Sequence, residues 1–325
     1  MLSAPDFEQK TIVIVFANEG QKVSIKNDNL LISDEEGKVL LQNTCYRTMA
    51  LWIVGNATIT TGIMQRAKRF AFPIHILNHN FRLIGLWSAA VEGNFMLRTL
   101  QYTTEPMPIA KRIIHNKINN QLHTLKSIRS KNTMQKSAVS ILEKSLHNAA
   151  LAECRQTLLG IEGSASRVYF EAWYWDMDWK GRQPRAKRDI LNVLLDIGYT
   201  YVYYLIENML QLYGFDVYKG VLHTNFYQRK SLVCDIQEPF RCIIDKAMKK
   251  AYNLGQIKQE DFDEKNGQYS LKLNKNKVYT SLMLKAVLTY KMDMFYYVQQ
   301  YYRAYVREKP IEEYPYFNMG DELPF

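Results

Sequence analysis

The stretch PIAKRIIHNKINNQLHTLKSIRS, Pro108 to Ser130, decides how this chain is divided. Its apolar residues recur at helical intervals over many turns, at Ile109, Ile113, Ile114, Ile118, Leu122, Leu125 and Ile128. This spacing predicts a long amphipathic helix. The same spacing continues through residues 135–177, 187–214, 235–254 and 278–306. We therefore expect an α-helical domain over residues 106–325.

Upstream of this helix the pattern is typical of strands. TIVIVF at Thr11 to Phe16 is a short β-branched run, and KVSIKNDNLLIS carries a turn signal between two apolar runs. EEGKVLLQ, ALWIVG and FPIHILN predict further strands, and TITTGIMQRAKRFA predicts one helix. The fold class is therefore α+β, with a β-rich domain at residues 1–88 and a linker at residues 89–105 before the helical domain.

Composition places the chain among globular proteins. Of its 325 residues 47% are hydrophobic and 13% aromatic, which argues against disorder. The four cysteines show no C-x-x-C spacing, so we expect reduced thiols and no zinc ribbon. The first residues lack a signal-peptide pattern, and no run approaches the ~20 apolar residues that span a bilayer. We expect a cytoplasmic protein without a membrane partner.

The net charge of +10 predicts a polyanionic partner. Nucleic acid is favoured over an anionic membrane surface. Residues 101–150 hold eight Lys or Arg against two Glu, and these include Lys117 and Arg129. This stretch could be an ordinary solvated helix face. The loop KGRQPRAKR is harder to explain that way, because its like charges repel unless an anion meets them; it supplies Arg182, Arg185, Lys187 and Arg188.

Glu162 is a single acid among small and apolar residues, in LLGIEGSASRVYF. It could be exposed, with Gly160 and Gly163 ending one helix and beginning another. Alternatively, helix packing brings the carboxylate to a pocket, and the glycines let a ligand approach the backbone. The motif alone leaves both interpretations open.

A histidine and two further acids follow downstream. His223 ends the apolar run after Gly220, and a lone histidine there is more often structural. Asp235 and Glu238 are three residues apart and would share one face of a first helical turn. They could simply complement the helix dipole, but that explains neither His223 nor Glu162. Together these side chains form a set of carboxylate and imidazole ligands suited to Mg²⁺ or Mn²⁺. In a basic protein, this set indicates chemistry on phosphodiesters.

These residues lie in elements that resemble one family, the CRISPR-associated adaptation integrase known as CRISPR-associated protein one. GIEGSASRVYF resembles its G-x-E-G-x-A-x-x-Y-F element, GVLH its G-x-L-H element, and SLVCDIQEPFR its S-L-x-x-D-L-x-E-P-F-R element. DILNVLLDIGYTYVY and NKINNQ resemble two more elements of the family. The resemblance extends from about residue 10 to about residue 310. One departure is that Lys187 and Arg188 precede Asp189, where the family often has a proline-rich run.

The resemblance implies a β-domain that dimerises, a helical catalytic domain, and insertion of short DNA fragments into a CRISPR repeat array. It implies that Glu162, His223 and Asp235 bind the divalent metal, with Glu238 as a fourth catalytic residue, an acid in or beside that shell. We assign Arg167, Asn192 and Arg241, which lie in the matched elements, to DNA binding with the basic residues above. The expected partners are double-stranded and branched DNA, a second copy of the chain, and a small ferredoxin-like adaptation protein that bridges two dimers.

The leading prediction is thus a metal-dependent DNA integrase and endonuclease. Two alternatives stay open. One is a noncatalytic basic DNA-binding scaffold that has lost its metal, although the complete ligand set argues against this. The other is a metal-dependent hydrolase of small phosphoesters, although the positive charge is spread over two segments, more than a small substrate needs.

Overall fold

The computed structural model describes residues 3–88, 93–223 and 226–320. They fall into two compact units. The first runs to Asn94 and includes Asn208–Phe215; the second combines Phe95–Glu207 with the chain from Asp216 onward. A β-rich N-terminal region followed by a largely helical region confirms the α+β class. The dimerisation role of residues 1–88 and the linker stay predictions; residues 89–92 of that linker lie outside the described part, and Phe95–Thr103 is helical.

The described residues of the first unit form two sheets. Its strands are β1 Thr11–Phe16, β2 Lys22–Lys26, β3 Asn29–Ser33, β4 Val39–Thr44, β5 Thr48–Val54, β6 Ile74–Leu77 and β7 Leu83–Trp87, with helices α1 Ala4–Glu8 and α2 Thr61–Arg69. One sheet has the order β1-β5-β6-β7, in which β7 is antiparallel to β6 and the other pairs are parallel. The second is an antiparallel β2-β3-β4 meander.

Local chemistry explains this arrangement. β5 is buried at every position, as expected of a central parallel strand covered on both faces. The predicted turn between β2 and β3 forms at Asn27 and Asp28, whose φ angles of 50° and 57° suit a tight hairpin turn. Val13, Leu51 and Ile63 of β1, β5 and α2 belong to one buried core cluster.

The described residues of the second unit form helices and one β-hairpin, joined by connecting segments. Its helices are α3 Phe95–Thr103, α4 Pro106–Lys126, α5 Thr133–Leu151, α6 Arg155–Trp173, α7 Ile190–Tyr213, α8 Ser231–Gln237, α9 Arg241–Asn253, α10 Asn276–Thr289 and α11 Lys291–Val306, and the hairpin pairs β8 Phe262–Lys265 with β9 Gln268–Leu271. The last residues of α7 belong to the first unit. The stretch 135–177, predicted as continuously helical, is divided because Ala152 adopts ψ 125° and ends α5.

α4 organises the second unit around itself. Glu105 caps its N-terminus and Pro106 occupies the first turn, where a missing N–H is harmless. It packs against α5, α6 and α9. Its buried Asn120 donates to the carbonyls of Pro239 and Phe317, at 3.0 and 2.9 Å. The C-terminal segment is thereby fixed to α4 and to the turn that precedes α9.

None of the four cysteines is in a disulfide; Cys45 and Cys242 are buried. Among the residues that the structure describes, no helix combines the length and apolar character needed to cross a bilayer.

Candidate active site

One cleft in the second unit collects most of the predicted site residues. It encloses about 540 Å³. Its walls come from α4, from α6 and the segment after it, from the segment before α8, and from α9 and the turn that precedes it. The lining residues that the argument uses are Lys117, Glu162, Gly163, Ser166, Arg167, Arg182, His223, Glu238, Arg241 and Asp245.

Glu162 lies in the interior of α6, so the glycines beside it do not end a helix. Ser166, one turn later, donates its hydroxyl to Oε1 of Glu162 at 2.9 Å, and Lys117 donates to the same oxygen. A Cβ atom on Gly160 or Gly163 would meet nothing within 4 Å. The glycines therefore leave open space on α6 rather than permitting a tight contact.

Asp235 lies beneath the backbone of the His223 segment. It is fully buried, and it accepts the backbone N–H groups of Val221, Leu222 and His223 at 2.7, 3.0 and 3.1 Å. Gly220 permits this approach, because a Cβ there would come within 2.8 Å of Oδ2 of Asp235. Both carboxylate oxygens are thus occupied.

Glu238 belongs to a short 3-10 turn, Glu238–Phe240, between α8 and α9. Its Oε1 pairs with Arg241 at 3.1 Å, and its Oε2 pairs with Lys117 at 2.7 Å. Burial alone would raise its pKa, but Arg241 and Lys117 outweigh burial and lower the pKa of Glu238 to about 2. Glu238 is therefore ionised at neutral pH.

Lys117 contacts both Glu162 and Glu238. Only 9% of its side chain is exposed. Burial lowers the pKa of this ammonium, but the two carboxylates together raise the pKa by more, so the net shift is upward. One buried cation thus pairs with two acids that belong to different elements.

The side chains that line the cleft include the types of group that bind a divalent cation. Glu162, Glu238 and His223 line it and offer the hard oxygens and the imidazole that Mn²⁺ and Mg²⁺ sites use. Within the described residues, however, no three His, Cys, Asp or Glu side chains converge closely enough to share an ion. The Lys117 ammonium pairs with both glutamates. Asp235 does not line the cleft.

The predicted DNA-binding residues divide into four groups. Arg167 and Arg182 line the cleft, as do Lys117 and Arg241. Lys117 and Arg241 are paired with acids of the cleft, and Arg182 is paired with Asp196 at 2.6 Å. Asn192 is fully buried and holds the preceding loop instead: its amide donates to Gly181 and Asp189 and accepts from Arg182. Arg185, Lys187 and Arg188 follow Pro184, which lines the cleft, whereas Arg129 is exposed and does not line it.

Sequence reasoning missed Asp245. This buried acid lines the cleft and accepts the hydroxyls of Tyr169, Tyr174 and Tyr199 at 3.1, 3.4 and 2.5 Å. Burial raises its pKa to about 6. Its spacing could have found it, because Glu238, Arg241 and Asp245 recur at three and four residues and so share one helical face.

The profile of the family described as CRISPR associated protein Cas1 matches residues 14–284. This range is well over half of the chain, and the chain therefore belongs to the Cas1 family. It is 29% identical over 243 residues to "CRISPR-associated endonuclease Cas1 1" of Thermodesulfovibrio yellowstonii, an alignment that covers 70% of this chain and 76% of that protein.

Two solved structures share the fold. One is a chain of a "Cas6-RT-Cas1--Cas2 complex", with a TM-score of 0.81 and 23% identity; the match covers 96% of this chain and 36% of that longer one. The other is a "Casposase bound to integration product", with a TM-score of 0.75 and 17% identity, covering 96% and 95%. At these identities the likeness concerns the fold alone.

Proposed function

We propose that this chain is a divalent-metal-dependent DNA integrase and endonuclease. It joins the 3′-hydroxyl ends of short DNA fragments to phosphodiesters of a CRISPR repeat array. One observation carries the proposal: Glu162, His223 and Glu238 line a single cleft together with Arg167 and Arg182. The relatives support the same chemistry, since one is named an endonuclease and one structural neighbour holds an integration product.

Glu162, Glu238 and His223 would hold Mg²⁺ or Mn²⁺. Asp235, which the sequence assigned to the metal shell, instead positions His223, because both of its oxygens are already bonded. When bound, such an ion polarises a phosphoryl oxygen and favours deprotonation of an attacking hydroxyl.

The remaining residues bind and orient DNA. Arg167 and Arg182 line the cleft, where they would hold the scissile phosphate as charge-assisted donors. Arg182 also bonds Asp196 and Asn192, so it would contact the phosphate through its remaining N–H groups. The loop that carries Arg185, Lys187 and Arg188 extends this contact along the DNA backbone without reading its sequence. Asn192 supports the loop from below rather than binding DNA itself.

Two protein partners complete the proposal. A structural neighbour forms a complex with Cas2, which supports a small adaptation protein as partner of this chain. β4 carries three successive half-exposed apolar residues, Val39, Leu40 and Leu41, on the outer strand of its sheet. Such an edge favours pairing with another chain, in agreement with dimerisation through the β-rich region. The proposed setting is the cytoplasm.

The proposal is tested by half-site integration into a supercoiled plasmid that bears the repeat, with Mn²⁺ or Mg²⁺ and with or without the small partner. Glu162→Gln and His223→Ala should each abolish strand joining and cleavage. Their affinity for DNA should stay within about threefold of wild type, since neither change removes a phosphate-binding cation. Full activity in both variants would refute the assignment.

Two measurements separate the alternatives. A noncatalytic scaffold would show no heat of Mn²⁺ binding, with or without DNA. A hydrolase of small phosphoesters would show a shallow salt dependence, whereas a DNA-binding surface loses roughly 0.9 log units of affinity per neutralised phosphate for each log unit of salt.

A further inference from the structure

Lys117 differs from every other cation of the cleft in what it contacts. Its ammonium bonds Glu162 of α6 and Glu238 of the 3-10 turn, and it projects from a third element, α4. Lys230 offers a comparison: it is similarly buried and pairs with the buried Glu207. Among the described residues no second acid forms an ion pair with Lys230, and Lys230 lies outside the cleft lining.

Glu238 is buried and Glu162 is partly buried, so both carboxylates require a compensating charge. An unpaired charge in a protein interior costs several kcal/mol, and two like charges add their repulsion. Lys117 supplies one positive charge at the place where both acids can reach it. A divalent cation bound by the same two acids would supply two.

One position between two carboxylates cannot hold both cations. We propose that Lys117 and the divalent metal compete for Glu162 and Glu238, so that metal binding expels the ammonium into the cleft. This inference rests on the metal site of the proposed function. The flexible four-carbon stem allows the movement without a change in α4. The expelled ammonium then joins Arg167 and Arg182 as a third cation for the DNA phosphate.

The first test compares two methionine variants by calorimetric titration with Mn²⁺ alone. Lys117→Met keeps the apolar stem and removes the competitor, and its Mn²⁺ affinity should rise by about tenfold or more, which corresponds to ~1.4 kcal/mol. Lys230→Met removes the same charge from another largely buried ion pair and should leave Mn²⁺ affinity unchanged. Both should lower the melting temperature without metal, but Mn²⁺ should restore only Lys117→Met.

The second test uses the unaltered protein, so it does not depend on a variant that folds. An amine-acylating reagent, with mass-spectrometric mapping, reports the accessibility of each lysine. Lys117 should react slowly without metal and several times faster with saturating Mn²⁺. Lys230 should stay unreactive under both conditions.

The results discriminate between this inference and the proposed function. If wild type binds Mn²⁺ but Lys117→Met binds it no more tightly, or if Mn²⁺ leaves the acylation of Lys117 unchanged, Lys117 is a fixed structural counter-ion and the inference is wrong. If neither wild type nor Lys117→Met binds Mn²⁺, the metal site itself fails, and the inference fails with it.

Discussion

Nδ1 of His223 lies 2.5 Å from Oδ1 of Asp235, a fully buried carboxylate that also accepts three backbone N–H groups. One acid thus fixes both the ring and the segment that carries it. Because Nδ1 is engaged, Nε2 is the ring nitrogen left for a ligand. In the proposed metal site, a buried carboxylate that orients the imidazole in this way would tune the ligand without touching the metal.

Asp235→Asn should therefore damage stability and activity together. An amide cannot accept all the hydrogen bonds that the carboxylate accepts, and each bond lost to a charged group is worth about 1.5–3 kcal/mol. We expect urea unfolding to show a loss of about 2–4 kcal/mol, and strand joining to fall about 10- to 100-fold.

His223→Ala is the matched control for this prediction. It removes the ring but keeps the backbone bonds to Asp235, so activity should vanish while most of the stability remains. Equal loss of stability in the two variants would show that Asp235 does not anchor the backbone as described.

Replacing a glycine by alanine should change stability in opposite directions at different positions of this chain. Gly220→Ala should destabilise the protein by about 1–3 kcal/mol, because the new Cβ would meet Ser231 Cβ at 2.7 Å and Asp235 Oδ2 at 2.8 Å. Gly160→Ala and Gly163→Ala meet no neighbour and lie within α6. Each should stabilise the helix by about 0.5–1 kcal/mol.

Function should separate the two helical glycines. Gly163 lines the cleft and Gly160 does not. Only Gly163→Ala should weaken binding of a branched DNA duplex, measured by fluorescence anisotropy. Equal affinities for the two variants would mean that DNA does not approach α6 at Gly163.

Sequence patterns predicted the fold class and the elements that form the cleft, but not what each side chain of the cleft contacts. Hydrophobic periodicity predicts α4 and the strands because burial repeats with backbone geometry. It gives no information on which oxygen of an acid is already bonded. Asp235 and Glu238 are both acids three residues apart, yet one anchors backbone N–H groups and the other faces the cleft. Likewise, a surplus of charge cannot reveal that Lys117 is buried between two glutamates.

Asp245 predicts a pH dependence of stability. Its pKa is about 6 in the folded protein and 3.8 as the reference value, so the folded state binds the proton more tightly. The free energy of unfolding contributed by this group is therefore highest below pH 3.8 and falls as pH rises from 3.8 to 6. The difference of about two pKa units corresponds to about 3 kcal/mol.

Asp245→Asn tests this sign. The free energy of unfolding of wild type minus that of the variant should decrease between pH 4 and pH 6, since asparagine does not titrate. Other titrating acids, such as Glu238, are present in both proteins and largely cancel in the difference. A flat difference, or one that rises with pH, would contradict the raised pKa.

Asn120 connects α4 to the turn that carries Glu238, and its removal should loosen that turn. Its amide donates to the carbonyl of Pro239, and its oxygen accepts the N–H of Met319 at 3.0 Å. Asn120→Ala leaves these buried backbone groups without their partner, which should cost about 2–4 kcal/mol in urea unfolding. Because Pro239 adjoins Glu238, Mn²⁺ affinity should fall as well.

Asn119→Ala is the control. Asn119 makes an exposed contact, to Asn318 at 3.3 Å, so this change should alter stability by less than about 0.5 kcal/mol. Should Asn120→Ala bind Mn²⁺ as tightly as Asn119→Ala, Glu238 would be held by its ion pairs with Lys117 and Arg241 and not by the attachment to α4.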